Sequence, residues 1–224
     1  MGIQETVRIT MAAALELIDT AAGERVRNHA ARITVPRGIR WHWKEDGYIV
    51  LTGTAEGTDI PVTVESMEYI TLHCKLPVKS GDIHKIAVYP SPGGVRRPGK
   101  IYREGLTDPD KDVWAEVEET AGNILLKQPY DPKVSGQTIQ LMARKRMNWL
   151  GQSFLLRDGA KEEQFTILDA SGEKEGKFLM DHTLTSGFGT KAVVSQIVRT
   201  RSDESGRYLL ALPTGVTEIR QIHD

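Results

Sequence analysis

Short runs in which apolar and polar residues alternate, broken by glycine, proline, asparagine or aspartate, dominate this chain. Alternation of this kind is typical of β-strands, because successive side chains point to opposite faces of a sheet. In the first half it predicts strands over 31–35, 41–45, 48–51, 60–65, 69–76 and 83–89. In the second half it predicts strands over 113–118, 123–127, 137–143, 153–156, 164–168, 177–180, 193–198 and 208–212.

Two local patterns need more than alternation. Residues 11–17 have good helix propensity, but Leu15 and Leu17 straddle Glu16, and the alternation favours a strand over 7–19. Between the strands over 41–45 and 48–51, Asp46-Gly47 predicts a tight hairpin turn, since glycine adopts the positive φ that such turns require.

Evenly spaced short strands without intervening helices predict an all-β fold. We expect two tandem antiparallel β-sandwich domains of the immunoglobulin-like or transthyretin-like kind. The strongest break in the pattern is 90–99, where three prolines and three glycines fall within one short stretch. This predicts a first sandwich over 1–92, a linker over 93–99 and a second sandwich with inserted loops over 100–224.

Composition restricts the classes of function. The chain has 224 residues, 26% of them charged, with 29 basic against 30 acidic side chains and a net charge of -1. Proteins that bind DNA or anionic membranes by charge normally carry a basic excess, so neither nucleic acid binding nor membrane insertion is expected. The single Cys74 predicts no internal disulfide, and no export signal or anchor is expected, which favours the cytoplasm.

One segment near the end of the chain resembles a known family. Residues 200–215 run through acidic residues, Gly206, a basic residue, Tyr208, alternating leucines and Pro213, and this order resembles the signature strand of carboxypeptidase-regulatory-like domains. Residues 46–53 are similar in layout, with a turn glycine, an aromatic residue and an apolar run. This echo also suggests duplication of one sandwich domain, although many hairpin strands share the layout.

The resemblance implies a fold rather than an activity. Tandem sandwiches linked by a segment such as Tyr89-Pro90-Ser91-Pro92-Gly93 are similar to accessory proteins of phage tails and contractile injection particles. The implied function is a non-enzymatic structural one, as adaptor or decoration of a tail or baseplate. Its partners would be other protein subunits, and a homo-oligomer is compatible with this role. The chain would be located in the cytoplasm before assembly and in the particle afterwards.

Candidate chemistry is sparse, so we predict that the chain is not an enzyme and that it holds no cofactor and no metal. There is no Gly-x-Ser-x-Gly motif, and Cys74 lies in an apolar run typical of a core position. No pair of histidines has the spacing of metal ligands on one helix.

The densest basic segment is Arg144-Lys145-Arg146, followed by Trp149. One interpretation is an edge strand whose cations oppose aggregation. The other is a contact surface for an acidic neighbour in an assembly, made by Arg144, Arg146 and Trp149.

Trp41 and Trp43 lie two residues apart and so share one face of a predicted strand. If that face is exposed, the pair could bind carbohydrate, and this is the alternative function. If it is buried, the two rings belong to the sandwich core.

Overall fold

Strands form nearly all of the regular structure. The structure is a computed structural model that describes residues 11–27, 31–54, 58–78, 82–117 and 123–213, and the backbone of 219–223. Within these ranges, helical structure is limited to α1 (Pro132–Ser135) and a 3₁₀ turn (Glu173–Glu175). The prediction of an all-β fold is confirmed.

The first half of the chain forms two sheets. Their strands are β1 (Met11–Asp19), β2 (Glu24–Arg25), β3 (Ala31–Thr34), β4 (Ile39–Trp43), β5 (Tyr48–Gly53), β6 (Asp59–Ser66), β7 (Leu72–Pro77) and β8 (Ile83–Val88). In the first sheet β1 is central: it pairs antiparallel with β5 and β2 and parallel with β8, and β4 lies beyond β5. The second sheet has the order β3-β6-β7.

The two sheets share one hydrophobic core, in the manner of a β-sandwich. Leu15 and Leu17 on β1 and Ile49 and Leu51 on β5 are fully buried, and alternate residues of β6 are buried with them. The strand predicted over 7–19 is confirmed for 11–19, since β1 has partners on both edges. Tertiary pairing here outweighs the helix propensity of its alanines.

The second half of the chain contains the remaining strands. They are β9 (Lys100–Leu106), β10 (Asp112–Val117), β11 (Ile124–Leu126), β12 (Thr138–Ala143), β13 (Ser153–Asp158), β14 (Lys161–Asp169), β15 (Lys177–Met180), β16 (Val193–Arg201), β17 (Arg207–Pro213) and β18 (Ile219–His223). β10 and β18 extend the sheet beyond β16, and β17 pairs with β9.

Six of these strands close into a barrel with the cyclic order β11-β12-β15-β14-β13-β16. Its interior holds Phe154, Phe165, Phe178 and Met180, each at most 2% exposed. The two tandem sandwiches expected from the sequence are therefore not confirmed. Barrels and sandwiches both bury alternate residues of each strand, so the alternating pattern does not distinguish them.

The internal echo does not mark equivalent strands. β5, from the first copy, lies inside a sheet with β1 and β4 as partners. β17, from the second copy, pairs with β9 alone among the described strands. Both strands follow a turn glycine and carry apolar residues, as hairpin strands commonly do, and duplication of a domain stays a prediction.

The segment 93–99, predicted as a linker, is bound to the sandwich. The Arg97 guanidinium donates to the Asp19 carboxylate at 2.9 Å and to the Glu68 carboxylate at 2.8 Å. Asp19 is 3% exposed and also accepts a hydrogen bond from the Tyr69 hydroxyl at 2.9 Å. The domain boundaries at 92 and 100 stay predictions.

Candidate functional site

A basic depression of about 310 Å³ lies on the outside of the barrel. Its five cations come from three places in the sequence: Lys127 follows β11, Arg144, Lys145 and Arg146 follow β12, and Lys174 lies in the 3₁₀ turn. All five side chains are exposed. The pairing of β11 with β12 and of β12 with β15 brings these separate segments together.

The cations of the basic depression have little compensating charge. None of the five forms an ion pair with a carboxylate in the part of the chain that the structure describes. Lys127 donates instead to the backbone carbonyl of Glu175 at 2.9 Å. Among the lining residues, Glu173 is the one acidic side chain. The depression therefore presents positive potential to solvent, which attracts anionic groups.

Backbone contacts hold the 3₁₀ turn against β12. Gly176 ends the turn with a left-handed φ of 74°, and its carbonyl accepts from the Leu141 amide at 2.9 Å. A Cβ at this position would lie 2.7 Å from the Leu141 carbonyl oxygen. The absence of a side chain at Gly176 allows Lys174 and Glu173 to lie beside the cations that follow β12.

The floor of the basic depression is apolar and belongs to the barrel core. Trp149 is 5% exposed, with its ring centroid 4.5 Å from that of Phe178 and 5.7 Å from that of Phe154. Leu141 is equally buried, so the apolar side chains that a partner can contact here are Met142, which is 51% exposed, and the half-buried Met147. Cations around an apolar floor suit a partner that combines carboxylates with apolar side chains.

Three predicted contact residues, Arg144, Arg146 and Trp149, line the same depression. The three consecutive cations do not lie on a strand, because β12 ends at Ala143, so the edge-strand interpretation does not apply to them. Trp149 is a core residue and is only 5% exposed. Whether these side chains contact a partner stays a prediction.

Sequence reasoning missed Lys127 and Lys174. Lys127 lies 17 residues before Arg144, and Lys174 lies 28 residues after Arg146, so no local pattern relates them to the basic segment. The pairing of β12 with β11 and with β15 brings them together.

The segment that carries these cations also packs against the sandwich. The Asn148 side chain amide donates to the Gly23 carbonyl at 3.4 Å. Gly23 has a φ of 66°, and a Cβ there would lie 2.3 Å from Asn148 Nδ2 and 2.7 Å from the Leu150 carbonyl oxygen. On the other side of the contact, a Cβ at Gly151 would lie 3.0 Å from the Asp19 carbonyl oxygen. Close backbone packing thus holds residues 148–151, which follow the three consecutive cations, against the sandwich.

Trp41 and Trp43 lie away from the basic depression, on the sandwich. They pair with Leu51 and Ile49 of β5, so their side chains share the face that is directed at the core. Both pack against that core and remain partly exposed. The pair therefore does not form an exposed aromatic ridge, although its contact with a ligand stays a prediction.

A second open depression, of about 840 Å³, lies at the tip of the β4–β5 hairpin. Trp43 and Tyr48 line it together with Glu45 and Asp46. The Arg25 guanidinium stacks on the Tyr48 ring at 4.7 Å from its centroid. The predicted Asp46-Gly47 turn is confirmed, with the Lys44 amide donating to the Tyr48 carbonyl at 2.7 Å.

Within the described residues, no group of three or more histidine, cysteine, aspartate or glutamate side chains is arranged to hold a metal ion. None of their helices has the length and apolar character required to cross a membrane.

No protein-family model matches the chain, and no curated protein sequence matches it.

Proposed function

We propose that this chain is a non-enzymatic assembly protein whose basic depression binds an acidic surface of a neighbouring subunit. The observation that carries the proposal is the cluster of five cations without carboxylate partners among the described residues. Like charges held together repel one another, and an acidic partner relieves that repulsion while it steers association. Met142 and Met147 add apolar contact area that a small inorganic anion would not use.

The narrower part of the proposal is the kind of assembly. The similarity of residues 200–215 to the signature strand of carboxypeptidase-regulatory-like domains supports an accessory role in a phage tail, baseplate or related injection particle. In this proposal the chain is cytoplasmic until it joins the particle. Its mechanism is surface complementarity, without a reaction and without a cofactor.

Gradient sedimentation of a native lysate tests the proposal, with mass spectrometry used to find the fraction that holds this chain. We expect the wild-type chain to sediment with large particles at low salt and to leave them as salt screens the contact. The triple variant Arg144→Glu/Lys145→Glu/Arg146→Glu should remain near the top of the gradient, at its chain mass of 24.9 kDa.

The matched control changes net charge equally at other exposed cations. Arg103→Glu/Lys133→Glu/Lys191→Glu reverses three side chains that do not line the basic depression and that form no ion pair among the described residues. This variant should sediment with the wild type. A wild-type chain that stays at the top would overturn assembly, and a depression variant that still sediments with particles would overturn docking at this surface.

Carbohydrate recognition is the second candidate, and the depression at the β4–β5 tip is the observation that favours it. Trp43 and Tyr48 offer aromatic surface, and the Glu45 and Asp46 carboxylates accept hydrogen bonds from hydroxyl groups. A glycan array tests it: binding that Tyr48→Ala abolishes would support this candidate, whereas an array without any bound glycan would remove it.

A further inference from the structure

A cleft of about 550 Å³ separates the sandwich from the barrel. One wall is formed by β7 and β8, the edge strands of the two sandwich sheets, and the other by residues of β14 and β15. Leu168 and Leu179 give the barrel wall an apolar surface, and Leu76 and Ile86 do the same on the sandwich wall. The lining also includes polar and charged side chains, among them Gln137 and Asp181. Clefts between packed units that combine apolar surface with placed polar groups are common ligand sites.

Two polar side chains occupy positions where alternation would place apolar ones. Cys74 shares its face of β7 with Leu72 and Leu76, which pack in the sandwich core. His84 pairs with Leu15 and shares the core face of β8 with Ile86. Both Cys74 and His84 line the cleft, next to the apolar side chains of its two walls.

The His84 imidazole lacks a partner within the described residues. Its Nε2 atom is buried and forms no hydrogen bond with any of them. A buried polar atom left without a hydrogen bond destabilises the fold, so a ligand group that pairs with it gains binding free energy. Burial raises the pKa of the Cys74 thiol to about 11, so this second polar group is uncharged at neutral pH.

Two basic and two acidic side chains line the cleft, so its lining carries no net charge. Lys75 and Asp82 are exposed to solvent, whereas Lys85 and Asp181 are paired with neighbours. The Lys85 ammonium donates to the Asp169 carboxylate at 2.5 Å. The Asp181 carboxylate accepts from the Thr166 amide at 2.9 Å and lies 2.8 Å from the His182 imidazole. A charged ligand would have to compete with these contacts, whereas a neutral one would not.

We propose that this cleft binds a neutral small molecule with an apolar body and one hydroxyl group, which pairs with His84 Nε2. A hydroxyl group both donates and accepts, so it satisfies either tautomer of the imidazole. The apolar body contacts Leu168 and Leu179 on the barrel wall. This site is separate from the basic depression, and the failure of either proposal leaves the other standing.

Protection of the single cysteine tests occupancy in the wild-type chain. N-ethylmaleimide adds one mass increment at Cys74, and intact mass spectrometry follows its rate. With saturating 4-butylphenol as the probe, we expect labelling to slow at least about fivefold, while urea-unfolded chain labels equally fast with or without the probe. An unchanged rate in the folded chain overturns the proposal without any substitution.

A pair of probes and a pair of variants test the hydrogen bond. We expect calorimetry to show that 4-butylphenol binds about fivefold more tightly than butylbenzene, as one hydrogen bond of about 1 kcal/mol requires. His84→Leu should bind both probes equally. His73→Leu, which changes a histidine on the opposite, exposed face of the neighbouring strand, should keep the fivefold preference. Equal binding by the wild type, or a preference that persists in His84→Leu, overturns the assigned contact.

Discussion

The Lys85 ammonium on β8 of the sandwich lies 2.5 Å from the Asp169 carboxylate at the end of β14 of the barrel. Lys85 also lies 3.8 Å from Glu16 on β1, a carboxylate that is 2% exposed and that Arg25 contacts from its other side. A chain of alternating charges therefore connects the sandwich sheet to the barrel. Partly buried pairs of this kind are screened less by salt than exposed ones.

The ion pair between Lys85 and Asp169 predicts that the fold loses stability in acid. Burial by itself would raise the pKa of Asp169, but hydrogen bonds from Lys85 and from the Ser171 amide outweigh it, and the pKa is lowered in the folded chain. A lowered pKa stabilises the fold above the unfolded value of about 3.9, and this contribution is lost as pH falls through the folded pKa. Asp169→Asn should therefore cost about 1 kcal/mol at pH 7 and progressively less below pH 4.

Urea unfolding at several pH values measures this difference. Asp59→Asn is the control, because Asp59 is exposed and forms no ion pair among the described residues. Its unfolding free energy should follow the wild type at every pH. A cost for Asp169→Asn that is the same at pH 3 and pH 7 would contradict the assigned ion pair.

Gly23 lies at the contact between the two halves, and replacing it should lower the free energy of unfolding by more than the loss of the ion pair does. Gly23→Ala adds a Cβ that would lie 2.3 Å from the Asn148 side chain and 2.7 Å from the Leu150 carbonyl oxygen. Gly159→Ala is matched to it, since Gly159 has a similar φ of 63° but nothing within 4 Å of the added atom. We expect about 1 kcal/mol of destabilisation for Gly159→Ala from backbone strain and about 3 kcal/mol for Gly23→Ala, measured by urea unfolding.

The difference between the two variants measures the close contact itself. Equal losses would show that strain alone acts at Gly23 and that the basic segment does not pack on the sandwich as tightly as the structure indicates.

Local pattern predicted the strands well because each strand carries its own evidence. The alternation around Ile60, Val62 and Val64 reflects one buried face, and Gly47 marks a hairpin turn. The barrel closes because β11 pairs with both β12 and β16. These partner residues lie about 20 and 70 positions further along the chain, and no local pattern encodes pairing over such separations. β9 was not predicted, because most of its side chains are exposed and few of them report a buried face.

The candidate site divides in the same way. Arg144 and Arg146 are adjacent in sequence and could be identified as a basic cluster. Lys127 and Lys174 join them through strand pairing, and His84 becomes a cleft residue only because the barrel covers that side of the sandwich. Trp149 showed the opposite problem: an aromatic residue beside cations suggests a contact surface, yet its ring packs in the barrel core.

Trp149 predicts a stability effect that separates it from its basic neighbours. Trp149→Ala removes a ring that packs against Phe154 and Phe178, and the resulting cavity should cost about 3–5 kcal/mol. Arg144→Ala, at an exposed position, should change stability by less than about 0.5 kcal/mol. Urea unfolding measures both, and a Trp149→Ala chain as stable as the wild type would contradict the core assignment.

Arg97 predicts how the segment between the two halves responds to protease. Its guanidinium contacts Asp19, Glu68 and the Tyr69 hydroxyl, the last at 2.7 Å, and its amide donates to the Tyr102 hydroxyl at 2.6 Å. These contacts should protect the neighbouring Arg96 peptide bond from trypsin, since cleavage requires the segment to leave the sandwich. Arg97→Met removes the guanidinium contacts, so cleavage after Arg96 should accelerate at least about tenfold, a change that corresponds to about 1.4 kcal/mol in the opening equilibrium.

Arg103→Met is the control for this experiment, because Arg103 is exposed and forms no ion pair among the described residues. It should leave cleavage after Arg96 at the wild-type rate, as read from fragment masses over time. Rapid cleavage after Arg96 in the wild-type chain would instead mean that the contacts of Arg97 do not hold, and that 93–99 behaves as the open linker its prolines and glycines predict. Slow cleavage that Arg97→Met releases would show that a segment with the composition of a linker is kept in place by one guanidinium and the buried carboxylate of Asp19.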